Sequence, residues 1–173
     1  MIETARYRVT QFFRALTARV SDEELEQVAL MLTPASLTLF RSMATQDQRH
    51  ALEVCRALRR ADHTDSQLMT AALLHDVGKS AARLWAWHRA VIVLLERFAP
   101  RLLARLSRGE LRGWRRPFIV HARHPEIGAR WAEEAGCPPL TIALIRRHHD
   151  QLGNYRTEED QLLTALQEAD NLN

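Results

Sequence analysis

Cysteine, lysine and long apolar runs are all scarce in this sequence of 173 residues. The scarcity of cysteines and of apolar runs excludes some classes of protein. Cys55 and Cys137 are the only cysteines and have no close partner spacing, so we expect reduced thiols in a cytoplasmic protein rather than a disulfide scaffold. The longest apolar stretch, residues 90–95, is far shorter than the roughly 20 residues that cross a bilayer. We therefore expect no membrane span, and the mixed charges at the N-terminus predict no secretory leader.

The basic residues are almost all arginine. Lys79 is the one lysine, and lysine and arginine together number 24 against 21 aspartates and glutamates, a net charge of +3. The pI is nevertheless about 9.4, because arginine titrates last. A charge of +3 suits a small acidic ligand and is weak support for binding to nucleic acid. Against this arginine background, the single lysine draws attention to position 79.

The remaining composition is that of an ordinary globular protein, with 46% hydrophobic, 26% charged and 6% aromatic residues. A chain of this length predicts one domain with a core of its own. Apolar residues recur at helical spacing, whereas period-two alternation, repeats and low-complexity segments are absent from the sequence. The sequence therefore predicts an all-α protein.

Helix-start signals divide the chain into segments. Ser21 followed by Glu24 has the form of a capping box, and Thr33 before a proline is typical of an N-cap. His124 precedes Pro125, so we expect it as a non-helical N-cap of a helix that begins there. Helices are expected over about 3–19, 22–32, 34–43, from 45, from 65 or 66, over 81–98, and from 100, 125, 139 and 157, with 109–117 as a loop.

The eight histidines are numerous for this length, and their neighbours matter more than their number. His75 and Asp76 follow the apolar residues 71–74, which places an ionisable pair at the edge of the predicted core. Burying such groups costs several kcal/mol unless a positive charge compensates. Imidazole with carboxylate is the ligand set of Zn, Mn, Fe or Ni rather than Ca. With His50 and Asp170, the pair makes a candidate metal-binding tetrad.

Five motifs, in this order, resemble those of the HD-domain metal-dependent phosphohydrolases. They are His50 in QRHALEV, LLHDVGKS at 73–80, HPEIGARWAEEAG at 124–136, IRRHHD at 145–150, and Asp170 in LQEADN. The resemblance covers about residues 46–173. It implies a single compact helical HD-type bundle over 46–173, with residues 1–45 as an N-terminal helical extension.

The resemblance also implies two divalent transition-metal ions, which could be Mn, Fe, Ni, Co or Zn. One ion would be held by His50, His75, Asp76 and Asp170. Asp76 would bridge to a second ion, held by His124 and His148. His149 would lie at the second ion or contact a substrate phosphate.

The implied reaction is hydrolysis of a phosphoester by a metal-activated water, because two close ions lower the pKa of a bound water and clamp a phosphoryl group. Asp76 and Lys79 are the candidate catalytic residues, and Lys79 is expected on the same helical face as Asp76. Gly78 is expected to leave space for the approaching substrate. The candidates for binding substrate are Lys79, His149, Arg123 and Arg147, with Arg146 beside them. For the arginines, a solvated helix face explains the sequence equally well.

Departures from related subfamilies narrow the prediction without naming a substrate. Residues 148–156 read HHDQLGNYR, so the Gly-Tyr-Pro signature of enzymes that linearise cyclic dinucleotides is absent. Gln46 stands where such enzymes can carry a glutamate, so no third metal is expected. The expected partner is a small phosphorylated, nucleotide-like molecule. Mononucleotides, dinucleoside polyphosphates and cyclic dinucleotides all stay open, as does a homo-oligomer.

Two other functions stay open. An HD-type signalling or regulatory module would bind a ligand without turnover, but such modules usually lose the metal ligands that this sequence keeps. An arginine-rich nucleic-acid-binding protein would use Trp114 together with six arginines, at positions 112, 115, 116, 123, 146 and 147. A basic stretch with a single aromatic residue is weak support for this function. His121 is a secondary candidate ligand. Trp85 and Trp87 cannot share one helical face, so we expect one of them to face a pocket, a second segment of the chain or a partner subunit.

Overall fold

The computed structural model describes residues 19–83, 85–153 and 157–172. In these residues the chain forms nine α-helices and two 3-10 helices, and no strand. The α-helices are α1 (Asp22–Met31), α2 (Pro34–Ser42), α3 (Thr45–Arg60), α4 (Ser66–Leu74), α5 (Ala86–Phe98), α6 (Pro100–Leu106), α7 (Arg116–Glu134), α8 (Pro139–Arg147) and α9 (Glu158–Asn171). The first 3-10 helix is Val77–Ala81 and the second is Gly113–Arg115. The all-α prediction is confirmed.

Several helices begin where local side-chain chemistry predicts. The Ser21 hydroxyl accepts a hydrogen bond from the Glu24 N–H, and the Glu24 carboxylate accepts one from the Ser21 N–H. Thr33 and Asp65 cap α2 and α4 in the same way, through side-chain oxygens that accept backbone N–H groups three residues on. These bonds satisfy donors that every helix N-terminus leaves without an intrahelical partner.

Two predicted helix boundaries are wrong. The helix expected over 81–98 is two elements, because Ala82 is extended and α5 begins only at Ala86. The helix expected to begin at Pro125 is instead α7, which runs unbroken from Arg116 through that proline. His124 is therefore helical rather than an N-cap. The expected helix over 3–19 lies, except for its last residue, outside the described residues.

Helix α4 is the centre of the bundle. Six of its nine residues are buried, which is typical of a helix surrounded by others on all sides. It packs against α3 and α8, while α7 packs against both α8 and the first 3-10 helix, and α9 packs on α3. The C-terminal end of α4 therefore delivers the next residues, His75 and Asp76, into the interior of the protein.

The described part of the predicted N-terminal extension contributes to the same hydrophobic core. Val28, Phe40 and Met43 are buried together with the apolar residues of α3, α4, α8 and α9. A division of the chain between 45 and 46 stays a prediction. In the ranges given above, no helix has the length and apolar character needed to cross a membrane.

Candidate metal centre

Asp76 lies at the middle of a buried group of ionisable side chains. It occupies the turn between α4 and the first 3-10 helix and is almost inaccessible to solvent. Its Oδ1 is 3.3 Å from Nε2 of His124 and 4.0 Å from Nε2 of His148. Its Oδ2 is 2.5 Å from Nζ of Lys79 and 3.6 Å from Nε2 of His75. Each carboxylate oxygen thus faces a different set of partners.

A second carboxylate joins the group from the last helix. Asp170 on α9 places Oδ1 2.7 Å from Nε2 of His50 on α3 and 3.7 Å from Nε2 of His75. All four members of the tetrad predicted from the sequence are therefore close together, although residues 50 and 170 are far apart in the chain. This convergence is a property of the tertiary structure, because α9 packs against α3.

The candidate ligand atoms form two adjacent groups. One consists of His50, His75 and Asp76, and the other of His124, His148 and His149, with the ligand atoms of each group within 4.8 Å of one another. The two contacts of Asp76 Oδ1 with the second group connect them. The resemblance also assigned Asp170 to the first ligand set and Asp76 to both sets, whereas the first group lacks Asp170 and the second lacks Asp76.

Three imidazoles of the centre are oriented in the same way. In each, Nδ1 is within hydrogen-bond distance of the backbone carbonyl three residues earlier. The pairs are His75 with Ala72 at 2.9 Å, His124 with His121 at 2.6 Å, and His148 with Ile145 at 2.7 Å. Because a carbonyl can only accept, Nδ1 carries the proton, and in the neutral ring Nε2 presents a lone pair. Second partners of this kind commonly orient histidine ligands of metal ions.

These three carbonyls are available for a local physical reason. Ala72 and Ile145 belong to the last turns of α4 and α8, where helix carbonyls have no intrahelical donor. His121 lies within α7, but the residue four positions later is Pro125, which has no N–H to donate. The proline predicted to begin a helix thus frees the carbonyl that orients His124.

The imidazole nitrogens of the centre are suited to bind a cation, and they cannot satisfy one another by hydrogen bonding. The Nε2 atoms of His124 and His148 are 3.2 Å apart. Nε2 of His75 is buried without any hydrogen-bond partner among the described residues. Burial lowers the pKa of His148 to about 2 and lowers that of His75 as well, so protonation of these rings is unfavourable. A divalent cation would satisfy lone pairs that no proton fills.

The charges around Asp76 favour the ionised forms of both partners in its shortest contact. Burial raises the pKa of Asp76, but its charged and hydrogen-bonding neighbours, Lys79 first among them, outweigh burial and hold that pKa well below its usual range. Burial lowers the pKa of Lys79, but Asp76 and Asp47 outweigh it, and the net change is upward. The carboxylate and the ammonium group are therefore both charged at neutral pH.

The carboxylate of Asp170 is also ionised. Burial raises its pKa, but the hydrogen bond with His50 outweighs burial and the pKa falls to about 2. The pKa of His50 is lowered by burial and raised by Asp170 and Asp76, with a net rise. Two negative carboxylates therefore face the buried imidazoles.

Arg147 and Arg123, both predicted to bind substrate, lie differently from the histidines. Arg147 forms ion pairs with Glu159, with Asp160 at 2.9 Å and with Asp150 at 3.3 Å, which join the end of α8 to the start of α9. Arg123 is exposed on α7, one residue before His124. None of their described hydrogen bonds or ion pairs reaches the histidine cluster.

Two other positions differ from expectation or stay secondary. Gly78 does not leave space for substrate, because a Cβ there would overlap the carbonyl oxygen of His124 and lie 2.8 Å from the Gly128 nitrogen. Its lack of a side chain allows the first 3-10 helix to approach α7. His121 pairs through Nε2 with Glu96 at 2.9 Å, so that nitrogen points to an acid outside the two candidate ligand groups.

Sequence reasoning missed a buried acid beside the centre. Asp47 lies one turn before His50 on α3 and forms a two-pronged ion pair with Arg89 of α5, at 3.0 and 2.8 Å. It also raises the pKa of Lys79. The three-residue spacing from His50 places Asp47 on the same helix face and was the available signal.

Gln167 is a second residue that the sequence did not single out. Its Nε2 donates to the backbone carbonyls of His148 at 3.1 Å and Asp150 at 2.9 Å. Since Gln167 lies one turn before Asp170 on α9, it ties the helix that carries one carboxylate to the segment that carries His148 and His149. A side-chain amide bonded to two carbonyls across a loop has no sequence signature.

The family of the chain follows from comparison with known proteins. The family model of the HD domain matches residues 48–173, which is most of the chain, so the protein belongs to the HD-domain family. HD domains are typical of metal-dependent phosphohydrolases and bind divalent metal ions. No curated protein and no solved structure matches the chain. The resemblance seen in the motifs is confirmed at the level of the family.

Proposed function

We propose that this protein is a phosphohydrolase that uses two divalent transition-metal ions to cleave a phosphoester of a small, nucleotide-like substrate. The observation that carries the proposal is the group of candidate ligand atoms around Asp76 whose lone pairs are not satisfied. Three imidazoles present Nε2 lone pairs at or near this ionised carboxylate, and Nε2 of His75 has no described hydrogen-bond partner. Buried polar atoms without a hydrogen-bond partner are rare in a protein core, whereas a metal ion binds the free lone pairs of imidazole nitrogens.

The residues would divide between two ions. His50, His75, Asp76 and Asp170 would hold the first, and Asp76, His124, His148 and His149 would hold the second. Divalent ions bound there would act as Lewis acids and lower the pKa of a bound water toward neutrality. Asp76 is suited to serve both positions, because its two oxygens face different partners and it stays ionised.

Lys79 is proposed to stabilise charge on the phosphoryl group. Its ammonium group is 2.5 Å from Asp76 Oδ2 and its side chain is only 21% exposed. A charged group held in a buried position acts through a lower effective dielectric than one in bulk water, so its effect on a nearby oxygen anion is larger. As a compact point charge it can approach a single oxygen.

His149 is proposed to contact substrate at the open side of the centre. The residue is exposed, but its ring lies against those of His124 and His148, with the centroid 4.2 Å from that of His148. Desolvation of the ring lowers the pKa of His149 to about 4. Its neutral ring would offer one N–H to a phosphate oxygen. It lines a cleft of about 310 Å³ together with Asp150, Gln167 and Asp170, a size suited to a small molecule.

The two arginines predicted to bind substrate differ in how well they could do so. Arg123 stays a proposed phosphate contact, because its exposed side chain begins one residue from His124. Arg147 would have to give up three acidic partners to reach a substrate, so we assign it to holding α8 against α9.

We also propose a cytoplasmic location, in keeping with two cysteines that are both free.

Metal analysis combined with a substrate screen tests the proposal. We expect about two equivalents of transition metal in the purified protein, and hydrolysis of nucleotides or an aryl phosphoester with Mn²⁺, Ni²⁺ or Co²⁺. His75→Ala and Asp76→Ala should abolish turnover, while His63→Ala, outside the ligand groups, serves as the matched control. Metal uptake without hydrolysis of any phosphoester would favour the regulatory module, and a protein that takes up no metal would contradict the proposed hydrolase.

A further inference from the structure

A second cavity, of about 530 Å³, lies beside the first 3-10 helix. Its wall includes Ser80 and Ala82, the aromatic side chains of Trp87 and Trp114, and the imidazole of His88. The metal centre does not use these residues. Two tryptophans in one concave surface are a ligand-binding feature, because their rings offer large flat apolar faces.

Both tryptophans are exposed to an extent that packing does not explain. Trp87 is 60% exposed and Trp114 is 72% exposed. The ring of Trp87 stacks on that of His88, with centroids 3.6 Å apart and an interplanar angle of 29°. His88 is itself held in place, because its Nδ1 accepts the backbone N–H of Trp85 at 3.2 Å. The stacked pair therefore presents a platform whose orientation is set by the start of α5.

The cavity is also positively charged at its edge. Arg83 and Arg116 line it, and Arg116 donates to the carbonyl of Ala81 at 2.6 Å, which fixes its guanidinium against the first 3-10 helix. Residues 97–116 contain seven arginines and one glutamate, a net charge of +6 in a chain whose total is +3. The two arginines that line the cavity favour an anionic ligand there.

The cavity is connected to the metal centre through two elements. Ser80 directly follows Lys79 in the first 3-10 helix. On α7, Pro117 lines the cavity, and His124, which belongs to the centre, lies seven positions later. Seven residues are nearly two full turns, so both lie on one face of the helix, about 10 Å apart along its axis. The cavity is therefore close to the centre along α7, although no residue of the two ligand groups lines it.

We propose that this cavity is the subsite for the aromatic base of a nucleotide substrate, which would stack on Trp87 and Trp114 while its phosphate group lies at Asp76 and Lys79. The assignment of the phosphate end rests on the proposed function; the base-binding assignment rests on the aromatic residues of the cavity. Stacking tolerates different bases, because each has a flat π-face, so we infer selection for nucleotides over base-free phosphates rather than for one base.

Equilibrium binding tests the subsite without requiring turnover. The full-length protein is titrated calorimetrically with nucleoside 5′-phosphonates, whose P–C bond is not hydrolysed, and with ribose 5-phosphonate, which lacks a base. Trp87→Ala and Trp114→Ala should each weaken nucleoside phosphonate binding by about tenfold. Binding of ribose 5-phosphonate should stay unchanged.

Trp85→Ala is the matched control. Trp85 is 51% exposed and lies two residues from Trp87, but it is outside the cavity wall and carries Arg83 over its ring at 4.1 Å. It should bind nucleoside phosphonates like the wild type. If an alanine variant fails to fold, Trp87→Phe and Trp114→Phe keep a flat ring and should retain binding. Equal affinity of the wild type for ligands with and without a base would overturn the proposal, as would equal losses in all three alanine variants.

The outcomes separate this subsite from the proposed hydrolysis. If the protein lacks metal and turnover but the two cavity tryptophans still confer selectivity for a base, the hydrolase proposal fails and the subsite stands. If the protein hydrolyses phosphoesters but the tryptophan variants treat base-containing and base-free ligands alike, the subsite fails and the hydrolase stands.

Discussion

The Nε2 atoms of His124 and His148 lie 3.2 Å apart, and each ring has already committed its Nδ1 proton to a backbone carbonyl. Two lone pairs at this distance repel each other unless a positive charge lies near both. The helix carbonyls that orient the rings therefore determine what the site can bind, because they decide which nitrogen is left to face Asp76.

Divalent transition metals should stabilise the protein against unfolding. A ligand that binds only the folded state at a thousand times its Kd adds about 4 kcal/mol. We expect Mn²⁺ or Zn²⁺ to raise the melting temperature and a chelator to lower it. Ca²⁺ serves as the control and should have little effect, because imidazole-rich sites do not suit it. The same melting temperature in chelator and in Mn²⁺ or Zn²⁺ would argue against a metal centre.

Pro125→Ala should weaken metal binding while leaving α7 intact. The new N–H can donate to the His121 carbonyl, which now accepts from His124 Nδ1, so the ring loses its orientation. Loss of such a partner typically costs 10- to 100-fold in metal affinity. Competition with a coloured chelator measures the affinity. Pro139→Ala is the control, since Pro139 is at a helix start where its missing N–H is not needed. Unchanged affinity in the first variant would show that this hydrogen bond is dispensable.

Lys79→Met should lower turnover by about a hundredfold while the metals stay bound. The ammonium group contributes charge near the scissile group but no lone pair to a cation, because it is protonated. Metal analysis and steady-state kinetics on the same preparation measure the two properties, with Lys79→Arg as the charge-preserving comparison. A metal-free Lys79→Met protein would mean that Lys79 maintains the shape of the centre instead.

Gly78→Ala should destabilise the fold by about 2 kcal/mol, within the range for forced overpacking. The added methyl group would overlap the backbone of α7 at His124, which cannot move aside as a side chain would. Urea denaturation measures the difference. Gly153→Ala is the control, because nothing lies within 4 Å of its Cβ position. Equal stability of both variants would refute the close approach of the first 3-10 helix to α7.

Glu24→Gln should cost about 1–2 kcal/mol at neutral pH and nothing near pH 2. The hydrogen bond with Arg49 is the main cause that lowers the pKa of Glu24 from 4.5 to about 2. A lowered carboxyl pKa contributes stability that is complete above pH 4.5 and disappears as the pH falls to 2. Solvent screening reduces its size, since the group is at the surface. Denaturation at pH 7, 4 and 2.5 measures the gap against wild type, with the exposed Glu23→Gln as control. A gap independent of pH would point to packing instead.

Much of the architecture could be predicted because its causes are local. Ser21, Thr33 and Asp65 cap their helices with side chains that reach only three residues, so their effect is readable in the sequence. The boundary predictions failed at two positions, Pro125 and Ala82. Pro125 is tolerated inside α7 because the orphaned carbonyl finds a donor in His124. The break after Ala81 follows from the extended backbone of Ala82, and no local signal predicted it.

The sequence alone determined the order and identity of the histidines and acids, and with them membership of the HD family. The reason is that motif spacing and ligand chemistry are properties of residue type. Only the tertiary structure decided how these groups meet. It placed Asp170 on His50 across 120 positions, buried Asp47 beside Lys79, and turned three Nε2 lone pairs toward one region. The physical reason is that burial and hydrogen-bond partners come from elements remote in the chain, and these set which atoms are left free to bind.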